Sequence, residues 1–289
     1  MTSFLSYLII LLISIFFNLF PRGISLIFGR LIGRIMYYII PIRKNVALQN
    51  IQDNFSNLDH KQHMQILKNT YIHFGMVLSD FLRQSQLDNN KIKKTVNMDD
   101  ETIKILKDNP GSIIMTGHLG NWEYFLPIFG LNGIKFSVVA QAIKNSYLNN
   151  LFLKYRTFKN VQIIFRKEGK EKMMKALSDK FHLGLASDQN AGKRGTLVNL
   201  LNIDISIPKG ASIFHLKTKK PILLGYCVMN KDYNYDFFIK YLDTSQIKGS
   251  KSEMIQNINS QFTKNLGEMI LKYPNQYFWF HKMKNKKEY

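Results

Sequence analysis

The chain holds a single cysteine, Cys227, among 289 residues. That excludes an internal disulfide and any zinc site built from several thiolates. Cys227 sits in the apolar run Pro221-Ile222-Leu223-Leu224-Gly225-Tyr226-Cys227-Val228. No charged neighbour is there to lower its pKa, so it reads as an inert thiol in a buried strand. Acidic residues are also scarce: 20 Asp and Glu stand against 40 Lys and Arg, a formal charge of +20. Such a surplus requires an anionic partner; nucleic acid, anionic headgroups and a phosphorylated substrate all qualify. Repeats, low-complexity stretches and long linkers are missing. Long apolar runs are missing beyond the first forty residues, which argues against a polytopic transporter. With 45% hydrophobic and 21% charged residues the chain is an ordinary folded protein, neither disordered nor collagen-like. Its length leaves room for one large domain or two modest ones.

What is present begins at the N-terminus. Residues 4–20 (FLSYLIILLISIFFNLF) carry no charge, and their 17 positions are the lower limit for a membrane-spanning helix. Pro21-Arg22-Gly23 interrupts, and a second apolar stretch, residues 24–40, follows. Arg30 and Arg34 share one helical face there, while Leu26, Ile27, Leu31, Ile32 and Ile35 take others. This predicts a helix lying on a membrane surface or packed on the domain. Met1-Thr2-Ser3 is uncharged and no Ala-x-Ala follows, so an uncleaved anchor is expected and not a signal peptide. Arg22, Arg30, Arg34, Arg43 and Lys44 follow the first segment, and the positive-inside rule then puts the remainder in the cytoplasm. An anchor that dips without crossing fits the same residues. The expected division is residues 1–43 as membrane anchor and amphipathic segment, and 44–289 as a catalytic domain.

Residues 44–109 show helical spacing, with one helix opening at Leu58-Asp59-His60-Lys61-Gln62 and running toward Leu82. Strands are predicted at 111–116, 135–140, 162–165, 183–187, 221–229 and 237–241. Helices are predicted at 121–129, 147–158, 170–180, 208–217 and 251–272. Strands alternating with helices predict an α/β domain around a mostly parallel central sheet flanked by helices.

The informative segment is Thr116-Gly117-His118-Leu119-Gly120-Asn121-Trp122-Glu123. Five residues apart in a continuous helix, His118 and Glu123 would point roughly 140° apart. A Gly-flanked turn at 117–120 lets His118 fold back over the helix start, so that the Glu123 carboxylate reaches one imidazole nitrogen. The other nitrogen is then a general base, and a substrate hydroxyl can attack a thioester with no enzyme nucleophile. The plainer alternative is a histidine capping a strand-to-helix turn.

These residues closely resemble the lysophospholipid acyltransferase superfamily, and most of all its lipid A late acyltransferase branch. The His-x4-Glu block within TGHLGNWE carries the resemblance. So do Arg43-Lys44-Asn45-Val46-Ala47-Leu48-Gln49-Asn50-Ile51, Phe165-Arg166-Lys167, Ala186-Ser187-Asp188-Gln189-Asn190-Ala191-Gly192 and Gln276-Tyr277-Phe278-Trp279-Phe280-His281-Lys282, in that order along nearly the whole chain. A more distant phospholipid branch has a Glu-Gly block where this chain reads Ala191-Gly192-Lys193-Arg194-Gly195-Thr196, which favours the lipid A branch.

The resemblance implies a glycerolphosphate-acyltransferase-like fold behind an N-terminal hydrophobic membrane-anchoring helix. It implies His118 as general base and Glu123 as its orienting carboxylate. Arg166 would bind a phosphate of the acceptor or of the donor's phosphopantetheine, or else is a surface arginine beside Lys167 and Lys170. Asp188 would pair with Arg166 or help to fix the base, or else caps a loop. Lys193 and Arg194 lie in a turn whose N–H groups can form an anion nest or an oxyanion hole, or in an ordinary basic loop. The donor would be a fatty acyl thioester on acyl carrier protein. The acceptor would be a phosphorylated glycolipid, a lipid A precursor, at the cytoplasmic face of a bacterial inner membrane. No metal, no prosthetic cofactor and no nucleic acid would take part; the aromatics cluster in apolar runs and not between basic residues. Rivals are the same chemistry on an inositol mannoside, ornithine lipid or lysophospholipid, a non-catalytic lipid-binding protein, and a thioester hydrolase. His60 and His63 read as solvated, and His73, His182, His215 and His281 as isolated. The run Lys282-Met283-Lys284-Asn285-Lys286-Lys287 reads as a solvated tail or a rest for anionic headgroups.

Overall fold

The apolar, β-branched runs of the chain become strands where they are short and helices where polar residues interrupt them at helical spacing. The computed structural model describes residues 2–284, so Asn285, Lys286 and Lys287 of the basic tail lie outside the described residues. Its helices are α1 (Thr2–Leu19), α2 (Arg22–Tyr38), α3 (Lys44–Asn54), α4 (His60–Arg83), α5 (Asn89–Thr95), α6 (Asp100–Asp108), α7 (Phe125–Leu131), α8 (Ser146–Tyr155), α9 (Gly169–Ser178), α10 (Gly210–Thr218) and α11 (Lys251–Lys272). Its strands are β1 (Val96–Asn97), β2 (Ile113–Thr116), β3 (Phe136–Ala140), β4 (Val161–Phe165), β5 (His182–Ala186), β6 (Thr196–Leu200), β7 (Ile203–Ile207), β8 (Ile222–Met229) and β9 (Tyr235–Tyr241).

Seven strands form one sheet in the order β1-β9-β8-β2-β5-β3-β4. The five from β8 to β4 run parallel; β9 turns back antiparallel to β8, and β1 follows β9. The α/β expectation therefore holds. Every residue of β8 is buried, as a strand covered on both faces must be. Cys227 is among them, and burial pushes its thiol far above the ordinary value, as expected of an inert group. The hairpin β6–β7 was not predicted. Its alternation of buried and exposed residues closes a small separate sheet against α11, where the Gln256 amide donates to the Leu197 carbonyl.

α4 begins on a capping box, with Asp59 and Gln62 satisfying each other's backbone N–H groups. It is the support for both N-terminal helices. α2 crosses it so closely that a Cβ at Gly75 would lie 2.2 Å from the Gly29 carbonyl oxygen, and only glycines allow that approach. Arg22 at the start of α2 makes a two-point ion pair with the buried Asp80 of α4, at 2.9 and 2.8 Å.

The expected spanning anchor is not found. Among the described residues no helix is long and apolar enough to cross a membrane. The 18 residues of α1 rise about 27 Å, short of a hydrocarbon core of about 30 Å. Nor does α1 project away from the body. Ser14 and Asn18 donate to the Leu82 carbonyl, Asn145 donates to the Ser3 carbonyl, and Phe17 is buried. The opposite faces of α1 and α2 leave Leu5, Ile9, Leu12, Leu19, Ile27 and Leu31 exposed.

Candidate active site

β2 and β5 are neighbours in the middle of the sheet, in register at Thr116 and Ala186. Two residues beyond that pair, His118 and Asp188 emerge side by side at the carboxyl ends of the strands. This is the edge where open α/β sheets hold their ligands. One Asp188 carboxylate grips His118 twice. Its Oδ1 lies 2.7 Å from the imidazole Nδ1, and its Oδ2 accepts the His118 backbone N–H at 2.7 Å.

An ionised carboxylate only accepts, so Nδ1 carries the proton and Nε2 keeps the lone pair. The Asp188 side chain is 2% exposed and that of His118 18%, enough for Nε2 to meet a substrate. Burial opposes charge on the imidazole. The Asp188 charge, its hydrogen bond and the more distant Glu123 charge outweigh that and hold His118 above the ordinary histidine value. Burial works against the Asp188 charge as well, and His118 overcomes it, so the carboxyl titrates below its usual range.

The turn that carries His118 is pinned from two sides. Gly120 has a φ of +67°, and a Cβ there would lie 2.0 Å from the Cys227 carbonyl oxygen. The Gly120 N–H donates to the Gln276 carbonyl, Asn121 N–H to that of Cys227, and Phe278 N–H to that of His118. The aromatic run near the C-terminus therefore lies along the turn as a short strand-like brace. Trp122 stands edge-on to the imidazole at 4.8 Å between centroids, and Phe278 and His281 are each 6.3 Å away.

Glu123 does not orient the base. Residues Trp122–Tyr124 form a 3-10 turn, and the Glu123 carboxylate is held by the Arg156 guanidinium at 2.8 and 2.6 Å. Asp188 already fills Nδ1, so Glu123 acts on the imidazole only through its charge.

Arg166 lies after β4, exposed, and borders a pocket of about 360 Å³ with Gln141, Phe165 and Lys167. β3 separates β4 from β5, which puts the ends of β4 and β5 about 10 Å apart. Asp188 therefore pairs with His118 and not with Arg166. Lys193 and Arg194 are exposed on the turn Gly192–Arg194. Two amides of the expected nest are already engaged: Gly192 N–H donates to Asn190 Oδ1, and Gly195 N–H to the Gly192 carbonyl.

Some residues went unassigned in the sequence. Gln189 donates from Nε2 to His118 Nε2 at 3.1 Å, on the nitrogen whose lone pair the Asp188 contact leaves open. Its only signal was its place beside Asp188. Arg156 carried none. His281, read as isolated, lies in the site, where burial and then the nearby His118 lower its proton affinity. His63 is not solvated; it is buried, with Nε2 2.8 Å from the Phe55 carbonyl oxygen, while His60 is exposed. A cavity of about 670 Å³, larger than the pocket beside Arg166, lies at the β1 edge between Ile92, Asn97, Ile128 and Phe237. It contains neither His118 nor Asp188, so size alone would misplace the chemistry.

An imidazole with a fixed tautomer, whose Nε2 lone pair meets only the donated hydrogen bond of Gln189 among the described residues, suits deprotonation of a substrate hydroxyl. No curated protein matches the chain. Residues 1–284, which include every residue of this site, match the pattern of the bacterial lipid A biosynthesis acyltransferases; the chain belongs to that family and is an acyltransferase of lipid A biosynthesis.

Proposed function

We propose that the chain transfers a fatty acyl group from an acyl carrier protein thioester to a hydroxyl of a phosphorylated lipid A precursor, with His118 as general base. Nε2 takes the hydroxyl proton as the oxygen attacks the thioester carbonyl. The tetrahedral intermediate collapses with a new C–O ester bond and a broken C–S bond. The imidazolium returns its proton to the leaving thiolate, and the base is restored. General-base catalysis of this kind contributes typically about 10²–10⁴-fold. The observation that carries the reading is the Asp188 carboxylate on Nδ1, which supplies the proton-accepting lone pair at Nε2.

In this reading Arg166, Lys193 and Arg194 meet phosphates of the acceptor or of the donor's phosphopantetheine; all three are exposed cations near the carboxyl edge of the sheet. The enzyme works at the cytoplasmic face of the inner membrane, resting on it through α1 and α2. Their exposed apolar residues, Leu12 at 64% and Ile27 at 62% among them, favour a helix pair lying in the interface. The net charge of +20 suits both an acidic carrier protein and acceptor phosphates.

The test is mass spectrometry of lipid A from a heterologous strain lacking its own late acyltransferase, expressing this chain or its His118→Ala variant. The expected result is a gain of one acyl mass with the unaltered chain and none with the variant. Unchanged lipid A despite good expression would refute this acceptor in that strain. Activity surviving in the variant would remove His118 as the base.

A further inference from the structure

A second site lies on the other side of the brace that supports the catalytic turn. It is a groove of about 350 Å³ between α2, α4, the β8–β9 turn and the end of α11. Two cations reach it, Arg30 from α2 and Lys272 from α11, and no acidic side chain lines it. Among the described residues neither cation has an ion-pair partner. Arg30 is instead held against Tyr233, 3.3 Å from its hydroxyl and 5.6 Å from its ring centroid. Asn275 adds a side-chain amide, and Asn69 accepts from Gln65 through Oδ1, which leaves its Nδ2 to donate. His73 borders the groove at 4% exposure, and its Nε2 has no hydrogen-bond partner. Burial lowers its proton affinity to about 4, so the ring is neutral and the charge of the groove comes from Arg30 and Lys272.

The position of Arg30 gives the groove its meaning. The buried stripe of α2 contains Ser25, Leu26, Gly29, Gly33 and Tyr37, and the exposed apolar stripe contains Ile24, Ile27, Leu31, Ile35 and Tyr38. At about 100° per residue Arg30 and Arg34 fall between them. The groove therefore opens beside the apolar face, at the level where a headgroup meets a helix lying in the interface. Two unpaired cations with amide and hydroxyl donors, and no carboxylate, are the chemistry of a phosphate site.

We propose that this groove is a phosphate-binding subsite that holds the headgroup of an anionic membrane lipid apart from the reacting one. The lipid half of the assignment rests on the membrane-surface reading of α1 and α2; the phosphate half does not. Because Gln276 borders the groove and its carbonyl accepts the Gly120 N–H, an occupied groove also supports the His118 turn.

The test compares the full chain with Arg30→Gln/Lys272→Gln, with Lys272→Gln alone, and with Lys104→Gln/Lys107→Gln. The last pair removes two exposed charges from α6, outside the groove. Binding is measured by co-flotation with vesicles of phosphatidylcholine alone and with added phosphatidylglycerol, at constant ionic strength. Melting of the detergent-solubilised chain is measured with and without glycerol 3-phosphate.

The expected result is tighter binding of the unaltered chain to the anionic vesicles. The groove double variant should lose about thirtyfold of that binding, the value for two surface cations. The α6 pair should change it less than threefold, and Lys272→Gln alone should lie between. Equal losses in both double variants, or no preference for anionic vesicles, would overturn the lipid assignment. Stabilisation by glycerol 3-phosphate without vesicle discrimination would make the ligand a soluble phosphate. If the unaltered chain floats with neither vesicle, the membrane reading fails. The melting arm still reads the groove, and equal stabilisation of the unaltered chain and the groove double variant would overturn the phosphate site.

Discussion

At the end of β5 a carboxylate that is 2% exposed closes on an imidazole; five residues past that imidazole along the chain, a carboxylate that is 16% exposed closes on a guanidinium. Both lie beside the His118 turn, and the motif in the sequence names the second of them. Asp188 meets an imidazole, a group that can gain and lose a proton near neutral pH, so its charge shifts that equilibrium and selects a tautomer. Glu123 meets Arg156, which stays protonated throughout, so its pair contributes position and a steady field. Nearness along the chain picked out the acid that pairs with Arg156, and nearness across the sheet the acid that holds the imidazole.

The largest effect that would break this contrast is on turnover. His118→Ala is expected to lower kcat by about 10²–10⁴-fold. Asp188→Asn should lower it by about 10²-fold or more, because the neutral amide no longer selects the Nδ1–H tautomer. The sign of its pH effect follows from the raised proton affinity of His118. The active base is neutral, so the rate falls as pH drops through that raised value. Removing the Asp188 charge lowers the value, and the acid limb of the pH–rate profile moves to lower pH. An unmoved limb in Asp188→Asn, with a moved one in Glu123→Gln, would reverse the roles.

Next in size is the stability of the Glu123–Arg156 pair. Glu123→Gln leaves a mostly buried guanidinium without its counter-charge and should cost about 3 kcal/mol in chemical denaturation. Arg156→Gln should cost a similar amount, and the double variant less than the sum. Additive costs would mean that the two do not act as a pair. Glu123→Gln should also move the acid limb to lower pH, but less than Asp188→Asn, because Glu123 adds only its more distant charge to the raised value of His118.

A smaller effect is expected at the exposed cations. Arg166→Gln, or Lys193→Gln/Arg194→Gln, should raise KM for the acceptor or the donor by up to about tenfold while kcat holds, the mark of lost uniform binding. A fall in kcat with unchanged KM would instead bring these residues into the reacting geometry. The smallest effect belongs to Gln189→Ala, which removes one hydrogen bond to Nε2. A change in kcat of about threefold in either direction is expected, the scale of one neutral hydrogen bond.

Much of the architecture was legible. The strand at 111–116, the all-apolar run at 221–229 and the long helix at 251–272 stand where the patterns put them, because buried strands and amphipathic helices leave different periods in the residues. The β6–β7 hairpin was missed, although Thr196-Leu197-Val198-Asn199-Leu200 alternates as a half-buried strand should. Beyond the basic turn of Lys193 and Arg194, residues 197–207 were assigned no element. The N-terminal helix was legible as a helix and as apolar, but not as a helix laid against α4 and α8. Hydropathy counts residues, and it does not see the hydrogen bonds of Ser14 and Asn18 to Leu82 that hold α1 down.

By itself the sequence determined the α/β alternation, the buried cysteine, the excess of positive charge, the His118 turn and the family likeness. Each of these is written in local composition, period or motif. Only the tertiary structure decided which acid holds the His118 imidazole, since His118 and Asp188 are 70 residues apart and meet through the register of β2 on β5. It likewise decided that Arg156 takes Glu123, that His281 joins the site, and that Arg30 and Lys272 share one groove. Charge and hydrogen bonding act over a few ångströms, and a linear chain does not state which of its residues will lie that close.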